Sequence, residues 1–149
     1  MKEKFAKMLS DALVLAVTKH KDQFDKGGMP YALHTLKVMH YLKSEDMELM
    51  CIAVLHDVVE DTDVTFRDLT EKGFTPRVID AVKLLTKMPG QTHIEYVEGI
   101  KSNRDAIAVK LADLRHNSDI RRLKGITDKD VARMKKYNEM YLTLKDCVK

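Results

Sequence analysis

Six side chains of two chemical kinds mark where this sequence could do chemistry. His56, Asp57, Glu60 and Asp61 stand together in "VLHDVVEDT", at the end of an apolar run that begins at Cys51; His34 lies in "PYALHTLKV" and Asp113 in "VKLADLRHN". Burying an ionised carboxylate without a partner is expensive, so acids placed against apolar sequence must be solvated, paired or bound to a cation. On a helix through residue 60, His56 and Glu60 are four apart, as are Asp57 and Asp61, so each pair shares a face and all four project toward a common region. Three acids that close repel one another unless a cation sits among them. Imidazole nitrogen with carboxylate oxygen suits a divalent transition ion such as Mn²⁺ or Fe²⁺, and no cysteine cluster supports a thiolate zinc site.

Adjacent ligands cannot complete such a site, and His34 and Asp113 are the candidates to do so. Asn117 follows Asp113 by four residues and should point to the same side of its helix. Two imidazoles and two carboxylates leave positions on an octahedral ion for water and a substrate oxygen, the arrangement of a hydrolytic metal centre.

The elements that must hold these residues are helical. Apolar residues recur at helical spacing nearly throughout, as in Phe5, Met8, Leu13 and Val17, and strand-like alternation is scarce. The spacing predicts helices near residues 2–20, 30–43, 46–60, 65–72, 75–87, 92–103, 105–121 and 128–146. Breaks fall at "KGGMP", where Pro30 opens a helix, at "SED" and "TDVT", which supply caps, and at "KMPGQT". The last helix is expected to pack Val131, Met134, Tyr137, Met140, Tyr141 and Leu144 on the core. The expectation is an all-α, compact multi-helix bundle forming a single domain over residues 1–149.

Composition narrows the function classes. With 44% apolar and 33% charged residues the chain is ordinary for a globular domain. A net charge of +3 suits an anionic small molecule, but sparse aromatics and the lack of a basic stripe argue against nucleic acid. The apolar run "ALVLAV" is too short and too closely flanked by charge to span a membrane or act as a signal peptide. Cys51 and Cys147 have no framework spacing, which fits a reducing, cytoplasmic setting.

"PYALHTLKV", "VLHDVVEDT" and "VKLADLRHN" resemble the His, His-Asp and Asp motifs of the HD-domain phosphohydrolases. In particular they resemble the hydrolase domain of the RelA/SpoT alarmone enzymes and their small single-domain relatives, whose pattern includes H-D-x-x-E-D-T. The resemblance runs from about "KHKDQFDKGGMPY" to "KLADLRHNSDIRRL". It implies that His34, His56, Asp57 and Asp113 hold one Mn²⁺, that Glu60 and Asp61 orient or deprotonate the attacking water, and that Asn117 positions the nucleotide sugar. Lys26 matches a family position, and Arg121, Arg122 and Lys124 are candidate phosphate partners by charge and location. The implied reaction removes pyrophosphate from the 3′ position of guanosine tetraphosphate or pentaphosphate, without a synthetase. The alternatives are another phosphorylated nucleotide as substrate, for a nucleotidase or phosphodiesterase, or a nucleotide-binding HD domain without catalysis.

Two departures accompany the resemblance. Where alarmone hydrolases commonly read R-K-x-G before "PY", this chain reads "DKGG", so Asp25 is expected to repel an anionic ligand. In "LADLRHN" the arginine stands at position 115 rather than beside Asp113. His20 and His116 fall in family-like segments and are expected to line the site or to be structural; His40 and His93 are not expected to be ligands.

Overall fold

The computed structural model describes residues 2–148. Among the described residues there are nine α-helices, one 3-10 turn and no strand. They are α1 Lys2–Lys19, α2 Ala32–Tyr41, α3 Met47–Leu55, α4 Val58–Asp61, α5 Phe66–Glu71, α6 Pro76–Leu85, α7 His93–Lys101, α8 Arg104–Asn117 and α9 Asp128–Asp146, with the 3-10 turn at Ile120–Arg122. The expected all-α bundle is what forms.

Starts are set by side chains that satisfy the first free backbone amides. Asp46 accepts from the Leu49 amide, Thr75 from Val78 ahead of Pro76 in the first turn, and Asn103 from Ala106. Thr65 with Asp68, Thr92 with Glu95 and Thr127 with Asp130 form reciprocal capping boxes. "KGG" makes a tight reversal, closed by the Asp25 and Met29 backbones and by a single antiparallel bridge between Phe24 and Pro30.

The core is organised around α3. Cys51, Ile52, Ala53, Val54 and Leu55 are all fully buried, so the C-terminal half of this helix is apolar all round, and α3 is enclosed by α1, α2, α6 and α8. α2 and α8 also pack on each other, and α8 carries α7 and α9 on its other sides. His34, the end of α3 and Asp113 therefore converge where three packed helices meet.

Three expectations need correction. The single helix over 46–60 is two: His56 caps α3, Asp57 stands at φ −107°, ψ −1°, and α4 begins at Val58. The helix expected over 105–121 stops at Asn117, and residues 120–122 make a separate 3-10 turn. Val131 is 58% exposed, so α9 meets the core through Tyr137, Met140, Tyr141 and the fully buried Leu144 instead. No helix among the described residues is long and apolar enough to cross a membrane.

Candidate metal centre

The break between α3 and α4 gives adjacent residues a common target. Consecutive side chains of a regular helix diverge by about 100°, yet His56 Nε2 and Asp57 Oδ2 stand 2.9 Å apart because the backbone turns between them. From α2, His34 Nε2 lies 3.8 Å from Asp57 Oδ2 and 2.9 Å from Asp113 Oδ1; His56 Nε2 lies 3.2 Å from Asp113 Oδ1. Ligand atoms of the four residues all fall within 4.8 Å of one another. Atoms bound about 2.1 Å from one ion stand about 3 Å apart at right angles and about 4.2 Å apart across it, so these spacings fit a single divalent cation. Donor chemistry agrees, with two imidazole nitrogens and two carboxylates.

A second layer orients each ligand. His56 Nδ1–H donates to the Ala53 carbonyl at 2.6 Å, which turns the Nε2 lone pair toward the cluster. His34 Nδ1 and His116 Nδ1 are 2.7 Å apart with stacked rings, so one donates and the other accepts. Burial, then the charge of Arg122, pushes the His116 pKa down to about 4, so its ring is neutral near pH 7. A proton on His34 Nδ1, donated to His116 Nδ1, is the tautomer that leaves Nε2 to bind a cation. The Tyr31 hydroxyl donates to Asp57 Oδ2 at 2.5 Å. Asp113 accepts from Lys110 Nζ at 2.9 Å and from Asn117 Nδ2 at 3.0 Å.

Charge explains the protonation of this cluster. Burial alone would lower the His56 pKa, but the charge of Asp57 and the hydrogen bonds His56 donates to Asp113 and Asp57 outweigh it and hold it well above the ordinary value. Asp113 is held well below the usual carboxylate range although burial opposes this, because Lys110 and both histidines favour its ionised form. Without a cation, the pocket is therefore neutralised by Lys110 and by a proton on His56.

Glu60 and Asp61 stand on α4 beside the cluster. Glu60 Oε1 accepts the Lys87 backbone N–H at 2.7 Å. The Asp61 pKa is pushed up to about 6, first by burial and then by the charges of Asp57 and Glu60. The Asp61 carbonyl accepts from Gln23 Nε2 at 2.8 Å, and Gln23 Oε1 meets His20 Nδ1 at 2.7 Å. His20 thus sits fully buried behind α4, apart from the cluster.

A cleft of about 230 Å³ adjoins the centre, lined among others by Asp25, Lys26, Tyr31, Asn117, Arg122 and Tyr137. Lys26 is exposed at its edge. Arg121 is not brought into the cleft: its guanidinium is on the surface, 86% exposed, and holds Asp119 at 2.8 Å. Its neighbour Arg122 turns inward and meets Asp25 Oδ2 at 3.1 Å. Asp25 therefore stands paired, not as the bare negative charge expected from the sequence. Its pKa is lowered against the pull of burial by the Met29 amide and by Arg122. Lys124 Nζ would lie 3.4 Å from a side chain added at Gly28.

Lys110 and Tyr31 were missed as partners of the ligands. Lys110 was legible from its place three residues before Asp113 on one helix; Tyr31 carries no local signal, since Asp57 is 26 residues away.

An all-helical domain that presents His, His-Asp and Asp from three helices to one point defines an HD centre. The family model described as "HD domain" matches residues 12–136, and this chain belongs to that family. Within it, the chain is related to the hydrolase domain of the SpoT and RelA enzymes. It is 34% identical over 114 residues to the guanosine-3′,5′-bis(diphosphate) 3′-pyrophosphohydrolase MESH1 of Drosophila melanogaster, covering 69% of this chain and 63% of that protein. It is 33% identical over 116 residues to the guanosine-3′,5′-bis(diphosphate) 3′-pyrophosphohydrolase of Haemophilus influenzae, covering 70% of this chain but only 17% of that one. A solved structure described as "A metazoan ortholog of SpoT hydrolyzes ppGpp and plays a role in starvation responses" superimposes with a TM-score of 0.76 at 28% identity, covering 91% of this chain and 84% of the other. The chain is an HD-domain protein related to proteins described as ppGpp hydrolases, and it spans less than two thirds of the length of the curated relatives it matches.

Proposed function

We propose that this protein is a cytoplasmic, divalent-cation-dependent hydrolase that removes the 3′-pyrophosphate of guanosine tetraphosphate or pentaphosphate, giving GDP or GTP. The observation that carries this reading is that Tyr31 and Asn117 each do two things: they line the cleft and they hydrogen-bond a carboxylate of the metal centre. A ligand held in the cleft is thereby delivered to the ligand cluster.

His34, His56, Asp57 and Asp113 would hold the cation, with Mn²⁺ or Fe²⁺ suited to their donor set. A divalent cation there supplies Lewis acidity toward phosphate oxygens and toward water. With Oε1 committed to the Lys87 amide, Glu60 holds the attacking water on Oε2. Asp61, whose pKa burial pushes up to about 6, takes its proton. The water oxygen bonds to the phosphorus next to the ribose 3′-oxygen, the bond between that oxygen and phosphorus breaks, and the 3′-oxygen leaves with a proton. Asn117 positions the sugar, and Lys26 meets phosphate at the cleft edge. From the segment after α8 the cleft-facing cation is Arg122, so Arg121 has at most an outer contact in this scheme.

The test is Mn²⁺-loaded protein incubated with guanosine tetraphosphate, following GDP and pyrophosphate by chromatography, with Asp57→Ala and chelator-treated protein as controls. Metal-dependent release of both products is expected. Folded, metal-replete protein that releases neither defeats the substrate assignment. A second reading, another phosphorylated nucleotide, follows from "DKGG", which puts Asp25 where the alarmone-hydrolase pattern commonly has arginine. Nucleoside monophosphates, triphosphates and cyclic nucleotides then form the comparison panel.

A further inference from the structure

We infer that Arg122 is the anion-recognition group of the cleft, and that Asp25 is the residue that positions it. This deepens the proposed function by assigning the phosphate-reading residue of the same cleft, and it rests on that reading for the kind of ligand, a guanosine nucleotide.

Three anchors fix the guanidinium. Nη1 donates to the His116 carbonyl at 3.0 Å and to Asn117 Oδ1 at 3.3 Å, and Nη2 donates to Asp25 Oδ2 at 3.1 Å. Guanidinium carries five N–H donors in a rigid fork. Nε–H and the second Nη2 hydrogen find no partner among the described residues, and Arg122 lines the cleft. The Arg122 side chain is only 20% exposed, so what a ligand would meet is a fixed donor pair and not a mobile surface charge.

Asp25 is placed to hold this geometry. Its Oδ1 accepts the Met29 amide at 2.9 Å while Oδ2 takes Arg122, so both oxygens are in use and the carboxylate cannot swing away. The backbones are locked as well: Gly27 lies so close to the Arg122 carbonyl that an added Cβ would stand 2.2 Å from its oxygen. The Asn117 contact matters for function, because the same amide donates to Asp113. Ligand phosphate on Arg122 and the catalytic cluster are thus one hydrogen-bonded residue apart. Asp25 and Arg122 also line a groove of about 500 Å³ that His34 and His116 line as well.

The test compares binding of GDP and of guanosine to chelator-treated protein by calorimetric titration, for wild type, Arg122→Ala, Asp25→Ala and the double variant. Arg122→Ala should weaken GDP about tenfold and leave guanosine within twofold, since a merely structural residue would weaken both. Asp25→Ala should weaken GDP at least threefold, and this effect should vanish in the Arg122→Ala background. Lys at position 122 should recover only part of the loss, because it restores charge without the fork. Equal GDP affinity of wild type and Arg122→Ala overturns the inference, as does a parallel loss of guanosine, an Asp25→Ala effect that is the same in both backgrounds, or wild type that binds no GDP. Turnover is not used, so failure to hydrolyse guanosine tetraphosphate would refute the proposed reaction and leave this titration to decide separately.

Discussion

Replacing Lys110 with methionine should destabilise the cation-free protein far more than the cation-bound one. The ammonium stands 2.9 Å from Asp113 Oδ2, its side chain is 15% exposed, and it also lies over the Tyr96 ring. At an effective dielectric constant near 20 the attraction at that distance is about 6 kcal/mol. Removing one member of a buried pair typically costs about 3–5 kcal/mol, because the other charge is left uncompensated. Methionine keeps the length and the contact with Tyr96, so the loss is mostly electrostatic. For a chain of 149 residues the unfolding entropy is roughly 0.3 kcal/mol per degree, so 4 kcal/mol corresponds to a fall in Tm of about 10–15 °C. A divalent cation between Asp57 and Asp113 takes over the neutralisation that Lys110 performs, and the loss should then shrink to about 1–2 kcal/mol. The difference must reappear as tighter cation binding, about 30- to 150-fold, since the two are legs of one thermodynamic cycle. Circular dichroism melts in chelator and in saturating Mn²⁺, with a Mn²⁺ titration of both proteins, read all three quantities. Equal Tm losses in the two conditions, or Mn²⁺ affinity that falls, would refute the reasoning.

The proton on His56 predicts that Mn²⁺ binding near pH 7 releases about one proton, visible as a dependence of calorimetric heat on buffer ionisation enthalpy, and that affinity falls as pH drops below the raised His56 pKa. His116 has a lowered pKa, so between about pH 6.5 and 4 the unfolded chain binds more protons than the folded one; stability should decline as pH falls through that window, less steeply in His116→Gln, as urea unfolding at several pH values would show. Tyr31→Phe removes the hydroxyl that orients Asp57 and should weaken Mn²⁺ about 10- to 100-fold in a direct titration, with the helical content unchanged. Gly27→Ala forces the "KGG" turn away from the Arg122 carbonyl and should cost GDP affinity at least tenfold while Mn²⁺ affinity stays within threefold, measured by the same two titrations.

The helical class and the convergence of His34, His56, Asp57 and Asp113 were legible because both rest on local pattern: apolar spacing for the helices, and the improbable placing of His56, Asp57 and Asp113 in apolar surroundings for the cluster. What was not legible depends on tertiary geometry. Nothing between Ala53 and Glu60 is a helix breaker, so the turn at Asp57 could not be seen, and the reasoning from four-residue spacing assumed one helix where the backbone makes two. Of two adjacent arginines, Arg122 faces the cleft and Arg121 the solvent, a choice made by the 3-10 turn and by Asp25, 97 residues away. Asp25 itself read as a repulsive charge only because its partner was out of local reach.

The distribution of ligands along the chain has a topological consequence. They come from positions 34, 56, 57 and 113, so one ion held by all four would close two loops, of 22 residues from His34 to His56 and 56 residues from Asp57 to Asp113. Cys51 is buried and Cys147 exposed, and both are free thiols, so no covalent bridge constrains these segments. An ion that binds only when α2, the end of α3 and α8 are assembled acts as a reversible cross-link on the chain, with the largest loop-closure entropy in the longer segment. Its strength is set by mass action: above the dissociation constant, each tenfold rise in free cation adds about 1.4 kcal/mol. Proteolysis of the span between α4 and α8 should therefore be governed by the concentration of a single ion in solution.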